Sequence, residues 1–188
     1  MIDEEIKGCV ERLLCGEILL YPTDTVWGIG CDATNEKAIG RIYDLKQRSE
    51  RKSMLVLLDR EEKLPYYVKD IPLIAWKMLR TAEKPTTFIY PGACNLPARL
   101  VPLDGTIAIR IAKTEFCRKL IAALNRPLIS TSANISGTPS PATFDEIADE
   151  IKSGVDYIVP REYDTSNFTQ PSRLVRFLYD DKYVVIRD

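Results

Sequence analysis

The chain has 188 residues, 45% hydrophobic and 28% charged, the balance of a folded globular protein and not of a disordered or collagen-like one. Its 26 Lys and Arg against 27 Asp and Glu leave a net charge of −1, which excludes bulk attraction to nucleic acid or membrane. It contains no histidine, so Ser–His and Cys–His catalysis, His-ligated zinc and a His-based pH switch are excluded as well.

Taken in chain order, Ile6, Val10, Leu13 and Leu14 recur at helical spacing over residues 3–16, with Gly16 placed to end the helix. An extended apolar run, residues 18–21, is stopped by Pro22. Ile39, Ile42, Tyr43 and Lys46 then share one helical stripe, and Thr34 or Asn35 supplies its cap. The continuous apolar run 54–58 predicts a buried strand. A helix over Leu73–Thr81 and a strand over Thr86–Tyr90 follow. Residues 106–112 alternate with period two, so Ile107, Ile109 and Ile111 face one way and Thr106, Ala108 and Arg110 the other. Thr114 opens a helix carrying Cys117, Leu120, Ile121 and Leu124, and residues 127–131 form another strand. Thr143 and Glu146 suggest a capping box for a helix running to Ser153. Strands over 173–178 and Tyr183–Arg187 flank a hairpin-like turn. Strands interleaved with helices, without repeat or linker, predict one α/β domain over residues 1–188 around a mixed sheet.

The five cysteines, at 9, 15, 31, 94 and 117, form no CxxC pair, so buried free thiols fit better than disulfides or a zinc ribbon. The acidic N-terminus lacks the positive charge of a signal peptide, and no apolar run reaches membrane-spanning length. A cytoplasmic protein without membrane association is expected.

Three stretches carry polar chemistry. The first, Tyr21-Pro-Thr-Asp-Thr-Val-Trp-Gly-Ile-Gly30, offers hydroxyls and backbone N–H groups at a strand's end. Its glycines do not make a phosphate fingerprint, and a turn in which Thr and Asp satisfy their own backbone is the competing reading. The second, Lys46-Gln-Arg-Ser-Glu-Arg-Lys52, places four cations in seven residues after a helix. A solvated helix end is the usual reading, but Lys46 continues a buried stripe, where its head needs a partner such as a phosphate or carboxylate. Arg48 adds a bidentate hold. The third, Ser130-Thr-Ser-Ala-Asn-Ile-Ser-Gly-Thr-Pro-Ser140, is a strand entering a hydroxyl-rich loop, with Ser130 and Ser132 on one side. Together with Thr106 and Arg110 they make a sheet face too polar to pack as a core and open to a charged small ligand.

On these residues the chain resembles the YrdC/Sua5 family, the L-threonylcarbamoyladenylate synthases that begin threonylcarbamoyl-adenosine synthesis in tRNA. The carriers are the Pro22–Gly28 loop, the KxR motif at Lys46 and Arg48, the SxN motif at Ser132 and Asn134, and the strand ending in Arg110. The match covers nearly the whole chain and resembles the short, single-domain form: a mixed sheet flanked by helices with an open concave polar site. The resemblance implies that Thr25, Arg110, Ser130 and Ser172 touch threonine. It also implies that Arg48, Lys52, Thr106, Ser132, Asn134, Ser140 and Arg187 meet ATP. Lys46 and Arg48, at the phosphate end, are the residues to which it assigns catalysis. Three departures stand out: Lys52-Ser-Met replaces the family's KPL, residues 83–87 replace PGPxT, and Leu57 stands where long forms have a histidine.

The implied reaction joins L-threonine, bicarbonate or CO2, and ATP into threonylcarbamoyl-AMP, releasing pyrophosphate. Magnesium is expected on the triphosphate without a protein cage. The product passes to downstream tRNA threonylcarbamoyl-transfer machinery. The alternatives are a paralogue acting as a weak RNA-binding module, which the net charge opposes, and a related carbamoyl-transfer protein.

Overall fold

The computed structural model describes residues 1–49, 54–178 and 181–188. The elements are α1 (Ile2–Leu14), β1 (Leu19–Tyr21), β2 (Gly28–Gly30), α2 (Glu36–Leu45), β3 (Leu55–Leu58), α3 (Leu64–Tyr67), α4 (Leu73–Thr81) and β4 (Thr86–Tyr90). They continue with β5 (Ile107–Ile111), α5 (Glu115–Leu124), β6 (Leu128–Ser132), α6 (Asp149–Gly154), β7 (Tyr157–Ile158), β8 (Arg173–Phe177) and β9 (Tyr183–Arg187). The strands form one sheet in the order β7-β1-β2-β6-β3-β5-β4-β8-β9. Pairs β1–β7, β3–β5 and β4–β8 are parallel and the others antiparallel, so the mixed α/β class is as expected.

Local signals set most boundaries. Asn35 caps α2 by accepting from the backbone N–H groups of Lys37 and Ala38. Gly16 adopts φ +82° just past α1 and lets the chain reverse into β1. Two expectations fail. Residues 143–148 do not extend α6, and Glu146 accepts from the Ala142 N–H instead of closing a capping box. Phe144 is drawn away to an edge-on contact with Trp27, 4.8 Å between ring centres, which outweighs the local helix signal. The stretch expected to be a loop before Gly30 also contains β2, inserted between β1 and β6. A Cβ on Gly30 would lie 2.3 Å from the Ile129 carbonyl, so the strand fits only because that side chain is missing. The expected hairpin turn between β8 and β9 includes residues 179–180, outside the described residues.

The two faces of the sheet are treated differently. On one, Val56, Leu58, Phe88, Tyr90, Ile107, Ile109, Ile129, Val175 and Phe177 are buried with Ala38, Ile39, Ile42 and Tyr43 of α2 and Ala75 of α4. On the other, α1 and α5 cover only one end, over Leu19, Tyr21, Leu57 and Leu128. Among the described residues no helix covers the rest of that face, which carries the polar residues. The five cysteines are free thiols, and Cys9, Cys31 and Cys117 are buried.

Candidate active site

The uncovered end of the second face floors a cavity of about 270 Å³. Strand alternation builds it. Ala108 and Arg110 of β5, Ser130 and Ser132 of β6, Thr87 and Ile89 of β4, and Leu174 of β8 all point into it. Its rim adds Thr25 and Trp27 from the β1–β2 loop, together with Arg48, Ser140, Ser172 and Arg187. Eight of the expected contact residues thus meet in one place: Thr25, Arg48, Arg110, Ser130, Ser132, Ser140, Ser172 and Arg187.

Arg110 is 3% exposed and sits among the β1–β2 loop residues. Its Nη2 lies 2.9 Å from Asp24 Oδ1, and its Nη1 donates to Thr25 Oγ1 at 3.3 Å. Nη2 also donates to Thr23 Oγ1 at 3.4 Å, and Nε has no hydrogen-bond partner. The threonine hydroxyls are ordered in turn: Thr23 donates to the Val26 carbonyl and accepts from the Thr25 N–H. The loop is closed from outside, where Trp27 Nε1 donates to Asp164 Oδ2 and Ser166 Oγ donates to the Thr25 carbonyl.

Across the cavity, the Thr87 and Ser172 hydroxyls share a hydrogen bond of 2.7 Å. Arg187 donates from Nε and Nη2 to the Ser172 carbonyl, which fixes its guanidinium at the rim. Burial, reinforced by the nearby charge of Arg110, lowers the pKa of Arg187. Burial also lowers that of Arg48. Cations packed this closely in a half-dry site are held at a cost that an anion would relieve.

Among the described residues, three expected contacts do not line the cavity. Lys46 is 1% exposed and does not line the cavity; its Nζ donates to the Ser132 and Asn134 carbonyls, while its own carbonyl accepts from the Ser136 N–H. Two of its three N–H donors are thus taken by backbone carbonyls. Burial and then the neighbouring Arg48 push its pKa down to about 7. Asn134 turns into its own loop, accepting from Ser132 Oγ and donating to the Ile135 and Thr138 carbonyls. Thr106 donates to Asp104 Oδ1 at 2.7 Å, in the turn before β5, because the aspartate is two residues away and the cavity is not. Lys52 lies outside the described residues.

Sequence reasoning overlooked Thr87, Ile89 and Leu174, although alternation within β4 and β8 marks them as facing away from Phe88 and Val175. Of the departures from the family pattern, Leu57 is buried in the cluster under α1 and α5, and Thr87 supplies a cavity hydroxyl.

Comparisons with known proteins agree with this fold. The Sua5/YciO/YrdC family model, described as telomere recombination, matches residues 11–188. A threonylcarbamoyl-AMP synthase of Pseudoalteromonas translucida is 31% identical over 172 residues, covering 90% of this chain and 91% of its own. The crystal structure of P. abyssi Sua5 complexed with L-threonine superposes with a TM-score of 0.83 at 26% identity, over 97% of this chain and 53% of that one. The chain thus spans about half the length of that protein. E. coli YciO superposes with a TM-score of 0.83 at 26% identity, covering all of this chain and 90% of its own. A family model matched over nearly the whole chain, with a relative 31% identical over 90% of it, shows that this chain belongs to the Sua5/YciO/YrdC family.

Proposed function

We propose that the protein is an L-threonylcarbamoyladenylate synthase, forming threonylcarbamoyl-AMP and pyrophosphate from L-threonine, bicarbonate or CO2, and ATP. The observation that carries this reading is the convergence of Arg48, Arg110 and Arg187 with the hydroxyls of Thr25, Ser130, Ser132, Ser140 and Ser172 in one cavity. Three cations around a hydroxyl-lined floor suit two anionic reactants held side by side.

The threonine amine adds to CO2 and loses a proton, giving a carbamate whose oxygen attacks the α-phosphorus of ATP as pyrophosphate departs. The carbamate is itself an anionic nucleophile, so the protein needs no covalent nucleophile. Its task is to align two anions and offset their charge, and placement of this kind contributes about 7–11 kcal/mol in favourable cases. Arg110 takes the threonine carboxylate, with Thr25, Ser130 and Ser172 orienting the amino acid. Arg48 and Arg187 face the nucleotide with Ser132 and Ser140. Lys46 and Asn134 act one step removed, by fixing the loop that presents Ser132. Magnesium would arrive on the triphosphate and retain much of its water. Among the described residues no three His, Cys, Asp or Glu side chains come together to cage it, so no step is assigned to a protein-bound metal.

Residues 1–188 would act as one domain in the cytoplasm, handing a labile product to the tRNA threonylcarbamoyl-transfer machinery. Among the described residues no helix is long and apolar enough to cross a membrane. The test is pyrophosphate release from ATP with threonine and bicarbonate supplied or withheld in turn. Release that depends on both supports the synthase. Salt-sensitive RNA binding without pyrophosphate release would instead favour the RNA-binding module.

A further inference from the structure

Resting on the synthase reading, one problem concerns how the two substrates find their own ends of a single cavity. One is an amino acid without net charge and the other a polyanion. Among the described residues, the charged side chains lining the cavity are Arg48, Arg110 and Arg187. Three equivalent guanidinium charges would all attract the triphosphate, and threonine would compete for Arg110 at a disadvantage.

Asp24 removes that equivalence. It lies between Thr23 and Thr25 on the β1–β2 loop, is 4% exposed, and is not part of the cavity wall. It instead lines a separate cleft with Lys113, Thr114 and Glu115. Among the described residues neither carboxylate oxygen has a hydrogen-bond partner, and its contact with Arg110 Nη2 at 2.9 Å is an ion pair without hydrogen-bond alignment. A carboxylate buried without hydrogen bonds is costly unless it answers a charge, and here that charge is Arg110.

We propose that Asp24 is a positioning residue that sorts the substrates: from outside the cavity wall it holds Arg110 and offsets its charge. Arg110 then accepts a single carboxylate, and the polyphosphate is left to Arg48 and Arg187. Asp24 touches neither substrate.

The test is calorimetric titration of the full chain with L-threonine, alone and in the presence of inorganic tripolyphosphate, for the wild type and Asp24→Asn. In the wild type, tripolyphosphate leaves threonine affinity unchanged. In Asp24→Asn, threonine binds about tenfold to a hundredfold more weakly, the scale of one charge-assisted contact, and tripolyphosphate displaces it further. Thr23→Val removes a neutral contact to the same nitrogen and retains the charge, so it should weaken threonine without making it displaceable. Displacement of threonine by tripolyphosphate in the wild type would overturn the proposal even if Asp24→Asn failed to fold. Weakening in Asp24→Asn without displacement would also overturn it, leaving Asp24 a structural role. A wild type that binds no threonine would instead sink the synthase reading itself.

Discussion

The same face of one sheet ends in two different ways. Under α1 and α5 it presents Leu19, Tyr21, Leu57 and Leu128 and is sealed by Leu13, Phe116, Leu120 and Ile121. Two and four residues further along β6, Leu128 gives way to Ser130 and Ser132, and two residues before Ala112, which follows β5, stands Arg110. Among the described residues no helix covers those positions. Strands fix only the direction in which a side chain points; whether the position becomes core or site depends on whether the next residue on that face can lose water without a partner. The two ends should therefore answer mutation differently, the covered end through stability and the open end through activity.

Arg110→Ala should break this division most severely. As groups of one polar sheet face open to a ligand, Arg110 and Arg48 would both be expected to abolish turnover on change to Ala while sparing the fold. The buried pair with Asp24 changes that for Arg110: its loss strands a carboxylate and should cost about 3–5 kcal/mol of stability as well as all turnover. Arg48→Ala should abolish turnover with little change in denaturant midpoint. Urea melts of both, beside pyrophosphate assays, separate the cases; equal melts would refute the structural role given to the ion pair.

Leu120→Ala, at the covered end, should cost about 2–5 kcal/mol in the same melts yet leave threonine affinity of the folded protein unchanged. A large shift in affinity would mean that the two ends are coupled.

Lys46→Met tests the seam between the ends. The Ser132 carbonyl keeps the Asn134 N–H, but the Asn134 carbonyl loses the ammonium, at about 1–3 kcal/mol when left buried and unsatisfied, and ATP affinity should fall with the loosened Ser132 loop. A pH signature follows from the lowered pKa. Between about 7 and the ordinary lysine value of 10.5 the unfolded chain holds a proton that the folded one releases, so this group's contribution to stability rises with pH across that window. The difference between wild type and Lys46→Met should widen accordingly, and a difference flat with pH would contradict it. Ser132→Ala should be mildest, losing about 0.5–1.5 kcal/mol of a neutral hydrogen bond and a few-fold in turnover.

Much of this was legible in the residues themselves. Period-two alternation over 106–112 placed Arg110 opposite the isoleucines, and a hydroxyl-rich strand end placed Ser130 and Ser132 together, because side-chain direction in a strand is a local property. The motifs supplied Arg187 and Ser172 through family likeness, without any physical argument from spacing. What was not legible was the fate of each polar head. Lys46 was rightly read as buried, but the two carbonyls that accept from it were out of sight, since they come from residues 86 and 88 positions away in sequence. Asp24 looked like a turn residue because its partner Arg110 is equally remote.

By itself, then, the sequence determined the α/β class, the strand faces and the polar character of one end of the sheet, all of which follow from local conformation and patterning. Only the tertiary structure decided that β2 slips between β1 and β6, that Lys46 and Asn134 clamp a loop and that Asp24 stands behind Arg110. Those outcomes depend on which distant groups meet after the chain has closed, and a buried charge takes whichever partner the packing brings within reach.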